Sequence, residues 1–360
     1  MRKVRILVVD DSAYSRRTIT RMLEKIEDIE VVGYAVNGEE GIQKVIALKP
    51  DLVTVDLEMP RMDGFTLLRI LTARFSVPVI VISALSGADK VFKALELGAL
   101  DFVAKPAGMS PGELLNIQHD LHRKVLQVFN LTNDDIPSPP PYLESGVHDE
   151  VKAPALMAGQ YPFDIVAIGA STGGPPALQK IFSSFEKKFP FAIVVSQHMP
   201  PGFTSAFAER LNKTSAFDVR EAQDGDTVKP GRILIAPGGK NMIFEICGGR
   251  VVTRIVEPSA SDRFIPSVDV MLESCASIYH NRMIAVILTG MGNDGSRGLR
   301  TVKEQGGYII SEAEKTSVVY GMPREAVATG FVDRVVPLDD IATEVLLKGF
   351  QKVLSLRKRS

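Results

Sequence analysis

A chain of 360 residues is longer than one ordinary hydrophobic core supports, so two domains are expected. Its 45% hydrophobic and 24% charged residues describe a globular protein, and a formal net charge of −1 excludes the clustered basic surface that duplex nucleic acid requires. Two cysteines, Cys247 and Cys275, are too few for a disulfide framework or a zinc site and read as small buried hydrophobes. The apolar run after Met1-Arg-Lys-Val-Arg5 is too short for a signal peptide, and no segment approaches the ~18 apolar residues of a membrane span. A cytoplasmic protein without membrane insertion or nucleic-acid binding is the expectation.

In chain order, short β-branched runs at 4–9, 30–36, 51–56, 78–83 and 100–104 alternate with amphipathic stretches at 14–27, 38–48, 64–74 and 87–97. This rhythm predicts βαβ units around a five-stranded parallel sheet, with 111–129 as a closing helix. Composition then shifts: residues 131–160 hold Asn-Asp-Asp, Ser-Pro-Pro-Pro and small residues without apolar periodicity, which predicts a flexible Pro-rich linker.

Asp10 and Asp11 follow the first strand, Asp56 the third, Ser83 ends the fourth and Lys105-Pro106 follows the fifth. In a right-handed doubly wound sheet these ends share one edge, where ligands bind. Taken singly, Asp-Asp after a strand is a helix cap followed by a first-turn acid. Together, three carboxylates call for a hard cation such as Mg²⁺, and a hydroxyl and an ammonium beside them suit phosphoryl oxygens.

Residues 1–130 resemble a response-regulator receiver domain of flavodoxin-like fold, with Asp56-Leu-Glu-Met-Pro-Arg-Met-Asp-Gly64 as the hallmark segment. The resemblance implies phosphorylation of Asp56 by a sensor histidine kinase, with Mg²⁺ held by Asp11, Asp56 and the Glu58 carbonyl. It further implies support from Asp10, Ser83 and Lys105, an aromatic switch at Phe102, and a cis bond between Lys105 and Pro106.

From Tyr161 a second alternation is predicted: strand 164–168, helix 175–187, strand 191–196, helix 203–212, strand 284–289 and helix 295–305. Gly225–Gly239 and 242–256 read as turns joined by short antiparallel strands. A Rossmann-like α/β domain with an antiparallel hairpin insertion over 161–350 is therefore expected.

Three of these strands end on reactive side chains. Gly169-Ala-Ser-Thr-Gly173 fits G-x-S-x-G, a tight strand-to-helix turn that lifts the Ser171 hydroxyl out of the sheet. Dinucleotide binding is the rival, because the segment almost makes G-x-G-x-x-G. Ser171 occupies the middle glycine's place, however, and His198 stands near where a ribose acid belongs. A serine needs a base, here His198, and the base needs an orienting carboxylate, here Asp294 in Gly290-Met-Gly-Asn-Asp-Gly295. The order Ser…His…Asp disfavours the α/β-hydrolase fold. Pro175 and Pro176 lack N–H groups, so oxyanion donors must come from Thr172, Gly173, Gly174 or the Met291 loop. His119, His122, His148 and His280 are weaker base candidates.

Residues 161–350 resemble the catalytic domain of the chemotaxis protein-glutamate methylesterases through Ile168-Gly-Ala-Ser-Thr-Gly-Gly174, Gln197-His-Met-Pro200, Ile235-Ala-Pro-Gly238, Pro266-Ser-Val-Asp269 and Leu288–Gly295. This implies hydrolysis of glutamyl γ-methyl esters on methyl-accepting chemoreceptors, deamidation of receptor glutamines, and no cofactor for the esterase. Pro175-Pro176 and Arg263-Phe-Ile depart from the family, which has a polar pair and a more basic run there. The joined layout implies that an unphosphorylated receiver covers the Ser171 cleft. The other classes are an esterase or amidase of another two-component pathway, and a receiver-controlled ligand-binding module.

Overall fold

The computed structural model describes residues 3–83, 87–105, 111–130, 163–260 and 262–357. The chain divides into two compact units, Met1–Gly146 and Val147–Ser360. The linker expected at 131–160, the bond before Pro106 and His148 lie outside the described residues.

The first unit runs β1 (Val4–Val9), α1 (Ala13–Leu23), β2 (Ile29–Ala35), α2 (Gly38–Leu48), β3 (Leu52–Val55), α3 (Gly64–Ile70), β4 (Val79–Ser83), α4 (Ala88–Glu96), β5 (Asp101–Ala104) and α5 (Pro111–Asn130). The strands form the expected five-stranded sheet in the order β2-β1-β3-β4-β5, every neighbouring pair parallel. β3 and β4 are buried along their whole length, as strands covered by helices on both faces must be. Side-chain caps start three helices close to strand ends: Ser12 accepts from Ser15 N, Asn37 from Glu40 N and Asp63 from Thr66 N. The helix expected over 64–74 is α-helical only to Ile70 and finishes as a π-helical turn at Leu71–Phe75. Strand order reverses at β1, so the crevice after β1 and β3 is the switch point.

The second unit runs β6 (Ile165–Ala170), α6 (Gly174–Ser183), β7 (Ala192–Gln197), α7 (Phe203–Thr214), β8 (Asp218–Glu221), β9 (Arg232–Ile235), β10 (Asn241–Cys247) and β11 (Arg250–Val256). It continues with α8 (Val268–Tyr279), β12 (Met283–Ile287), α9 (Ser296–Glu304), β13 (Tyr308–Glu312), α10 (Met322–Ala328), β14 (Arg334–Val336) and α11 (Leu338–Arg357). Seven strands form one parallel sheet in the order β14-β13-β12-β6-β7-β9-β8.

Three expectations are corrected here. The hairpin is confined to β10 and β11, which pair antiparallel. Within 225–239, the strand β9 instead joins the main sheet, parallel to both β7 and β8. The reason is burial: Ile233, Leu234 and Ile235 are all sealed from solvent, and only a strand inside a covered sheet hides three successive side chains. The sheet also continues beyond 305 through β13 and β14. The polar Ser311 and Glu312 obscured β13, yet both are fully buried. Finally, Cys275 is buried as expected but Cys247, at the end of β10, is exposed. No helix among the described residues is long and apolar enough to cross a membrane.

Candidate active site

In the parallel sheet of the second unit, β6 lies between β12 and β7, so the segments leaving these three strands converge at their C-terminal ends. Ala170 pairs with Gln197, which puts Ser171 and His198 one residue beyond the last rung of adjacent strands. His198 N donates to Ala170 O at 3.1 Å and Ser171 N donates to Thr289 O at 3.0 Å, so both backbones are tied to neighbouring strand ends. The turn after Ser171 is closed by Gly174 N on Ser171 O at 2.8 Å and by Gln197 Nε2 on the same oxygen at 2.9 Å. Only glycine fits at 174, where a Cβ would come within 2.0 Å of Gln197 Oε1. Because the turn uses the Gly174 N–H, the expected oxyanion donors narrow to Thr172, Gly173 and the Met291 loop.

His198 Nε2 lies 2.8 Å from Asp294 Oδ2. A carboxylate can only accept, so Nε2 carries a proton, and in the neutral imidazole Nδ1 is the acceptor nitrogen. Nδ1 is buried without a hydrogen-bond partner among the described residues. No hydrogen bond joins the Ser171 hydroxyl to the imidazole; the row of three side chains is complete on its His–Asp side only. Serine, histidine and aspartate are all buried, at 5%, 7% and 4% exposure, so water competes weakly for the pair.

Asp294 is held by more than the imidazole. Its Oδ2 accepts from Val268 N at 2.7 Å, and its Oδ1 from Asp269 N at 2.9 Å and Ser267 Oγ at 3.1 Å. These donors are the cap and first turn of α8, whose dipole favours a negative charge there. Burial alone would raise the Asp294 carboxyl. The bond to His198 and those helix N–H groups outweigh burial and hold it below the usual carboxylate range. Asp269 returns the arrangement, accepting from Gly295 N at 2.9 Å and Gly298 N at 2.7 Å at the start of α9. Burial, aided by the neighbouring Asp294, pushes Asp269 up to about 6 despite the Gly298 bond. The two helix starts thus cap one another through Asp294 and Asp269.

Sequence reasoning missed Ser267, Asp269, Phe264, Gln197 and the pair Thr289–Glu312 as parts of this site. Ser267 and Asp269 did carry a signal, since Ser-Val-Asp ahead of an apolar run marks a helix start. Phe264 stacks on the His198 ring with centroids 4.9 Å apart. Thr289 N donates to Glu312 Oε2 at 2.7 Å, and Thr289 Oγ1 donates to Thr172 O at 2.9 Å. The other described histidines serve elsewhere: the His122 ring meets Met22 O, the His280 ring meets Gln305, and His119 is exposed.

In the first unit, carboxylate oxygens of Asp10, Asp11 and Asp56 lie within 4.8 Å of one another at the switch point. Asp10 and Asp56 are buried, while Asp11 is exposed. Lys105 Nζ reaches Asp56 Oδ2 at 2.5 Å and Asp10 Oδ2 at 3.0 Å. Burial raises Asp56 above the usual carboxylate range, with Asp10 adding to the effect and Lys105 opposing it. Burial would lower Lys105, but its bonds to Asp56 and Asp10 prevail and raise it. One ammonium therefore incompletely compensates the carboxylates, and an all-oxygen cluster of this size suits a hard divalent cation. Ser83 is buried at the end of β4, and its carbonyl accepts from Lys105 N at 2.7 Å. Glu58 points its carboxylate away, into an exposed pair with Lys90, while its backbone N contacts Asp56 Oδ1 at 3.4 Å. Phe102 is buried, and its carbonyl accepts from Lys124 Nζ.

The chain matches two family models, CheB methylesterase over residues 166–345 and response regulator receiver domain over residues 6–117. A protein-glutamate methylesterase/protein-glutamine glutaminase of Geobacter sulfurreducens is 54% identical, the match spanning 96% of this chain and 97% of that protein. A protein of the same description from Myxococcus xanthus is 45% identical over 94% of this chain and 95% of its own. Among solved structures, the CheB methylesterase catalytic domain of Thermotoga maritima is 44% identical with a TM-score of 0.50, covering 51% of this chain and 98% of that one.

Proposed function

The chain belongs to the CheB methylesterase family and carries a response-regulator receiver domain; from that premise we propose that it is a phosphorylation-regulated serine hydrolase. It removes methyl groups from glutamyl γ-esters and amide groups from glutamines on the cytoplasmic helices of chemoreceptors, in chemotaxis adaptation. We assign the receiver to 1–130, a linker to 131–160 and the esterase to 161–350.

Ser171 Oγ attacks the ester carbonyl carbon while His198 Nδ1 takes the hydroxyl proton. Asp294 holds the imidazole in the tautomer that keeps Nδ1 basic, and its charge stabilises the imidazolium. The tetrahedral oxyanion is met by backbone N–H groups of Thr172, Gly173 or the Met291 loop. Collapse breaks the C–O bond, and His198 returns the proton to the departing methoxide, which leaves as methanol. Water, deprotonated by the same nitrogen, then attacks the acyl-serine, frees the glutamate carboxylate and restores the Ser171 hydroxyl. With glutamine as substrate the leaving group is ammonia.

The observation that carries this reading is the buried His198–Asp294 bond, which leaves the other imidazole nitrogen without a partner among the described residues, on a residue that follows the strand adjacent to the one Ser171 follows.

In the receiver, a sensor histidine kinase transfers a phosphoryl group to an Asp56 carboxylate oxygen. Asp11, Asp56 and the Glu58 carbonyl would hold Mg²⁺, which when bound neutralises the gathered negative charge; Asp10 assists. Ser83 and Lys105 then hold phosphoryl oxygens.

Methanol release from a methylated receptor, measured with and without a small phosphodonor, tests both halves. Release that depends on Ser171 and rises with the phosphodonor is the expected result. A chain that binds methylated receptor but releases no methanol refutes the esterase assignment.

A further inference from the structure

We propose that Phe264 is a positioning residue for His198, its ring fixing the plane of the imidazole so that Nδ1 stays turned toward Ser171. The proposal rests on the roles just assigned to Ser171 and His198. Its starting point is a geometric shortfall. His198 is anchored by its backbone, through the bond to Ala170 O, and by Nε2 at Asp294. Two anchor points define a line, and the ring can still swing about the axis from Cβ to Nε2. Nδ1 lies off that axis, so the swing moves the one atom that must accept a proton.

A flat surface against one ring face removes this freedom. The Phe264 ring provides it, lying within 6° of parallel to the imidazole at a centroid separation of 4.9 Å. The phenyl ring is itself confined at its tip by the loop that carries Asp294. Gly292 adopts a φ of +90°, and a Cβ at that position would come within 2.8 Å of the Phe264 ring. The loop therefore bears on His198 twice, through the Asp294 carboxylate at the ring edge and through the phenyl, confined at its tip by Gly292, at the ring face. The π face also favours the imidazolium that forms when Ser171 gives up its proton, and an apolar neighbour keeps water off the nitrogen.

The test compares Phe264→Leu and Phe264→Tyr in the full-length chain on methylated receptor. Phe264→Leu preserves apolar volume but removes the flat face. It is expected to lower kcat by about 10- to 100-fold, the scale of a small misplacement in an active site, while KM stays within about twofold. Phe264→Tyr keeps the face and should retain most of kcat. A readout independent of turnover is the carbon-bound proton signals of the His198 ring by NMR. Ring current from the phenyl shifts them in the parent and in Phe264→Tyr, and the shift should vanish in Phe264→Leu. If Phe264→Leu loses its cooperative melting transition, Phe264→Met is measured in its place. An unchanged kcat, a raised KM at constant kcat, or a tyrosine variant no better than leucine overturns the proposal. Failure of the underlying mechanism is distinguishable, because Ser171→Ala would then stay active whatever residue stands at 264.

Discussion

Glu312 offers a quantitative test of how the second unit is built. Its side chain is fully buried at the end of β13, with Oε2 accepting the Thr289 N–H and Oε1 lacking any partner among the described residues. Burial lifts the carboxyl from 4.5 to about 7, although the Thr289 bond works in the opposite direction. Below pH 4.5 the folded and unfolded chains both hold the proton. Between 4.5 and about 7 the unfolded chain releases it while the folded chain keeps it, so stability falls as pH rises through this window. Above about 7 the full cost is present, roughly 3 kcal/mol at about 1.4 kcal/mol per pH unit. Glutamine keeps the oxygen that Thr289 needs and carries no charge. Glu312→Gln should therefore match the parent near pH 4 and exceed it by up to about 3 kcal/mol at pH 8.5, a rise of roughly 6 to 10 °C in melting temperature for a unit of this size. Differential scanning calorimetry of parent and variant between pH 4 and 9 measures the difference directly. Equal stability at pH 8.5, or a deficit that does not vary with pH, would refute the argument that this buried carboxyl pays for its own ionisation.

Other perturbations separate the parts of the site. Ser171→Ala should lower methanol release by about 10⁴-fold or more without disturbing the fold, since its hydroxyl makes no bond to the imidazole. Asp294→Asn should lower kcat by about 10³- to 10⁴-fold by presenting His198 with an amide. It should also weaken the fold by about 2 kcal/mol or more, read from urea melts, because the amide NH2 cannot accept from the two donors it faces and the charge at the start of α8 is lost. Asp56→Asn should abolish the response to phosphodonor while leaving basal methanol release in place. Removing divalent cations with a chelator should stop labelling of Asp56 by a small phosphodonor, and restoring Mg²⁺ should recover it.

Reciprocal capping of α8 and α9 explains why the carboxylate is well placed to orient a base. An aspartate on an unsupported glycine-rich loop would sample many rotamers. Here four hydrogen bonds fix it: one from the imidazole, one from the Ser267 hydroxyl and two from backbone N–H groups. Because Asp269 ties the loop back to the same helix, displacement of either helix start costs bonds at both.

Much of this was legible from the chain alone. Alternating β-branched and amphipathic runs determined the parallel sheets, since periodicity is a local property of successive residues. The same reading placed Asp10, Asp56, Ser83, Lys105, Ser171 and His198 at or just beyond strand ends, because in a parallel sheet the end of an apolar run decides where a side chain emerges. Other features became visible only in three dimensions. β9 could not be told from an antiparallel strand, as its pairing with β7, Ile193 to Ile233, spans 40 residues and its parallel pairing with β8 needs a crossover that local periodicity does not show. Which imidazole nitrogen faces Asp294, the helix start beneath that carboxylate, the phenyl ring on His198 and the buried charge of Glu312 were all decided by tertiary structure. Each depends on direction and burial between residues distant in sequence, and hydrogen bonding and desolvation act through space rather than along the chain.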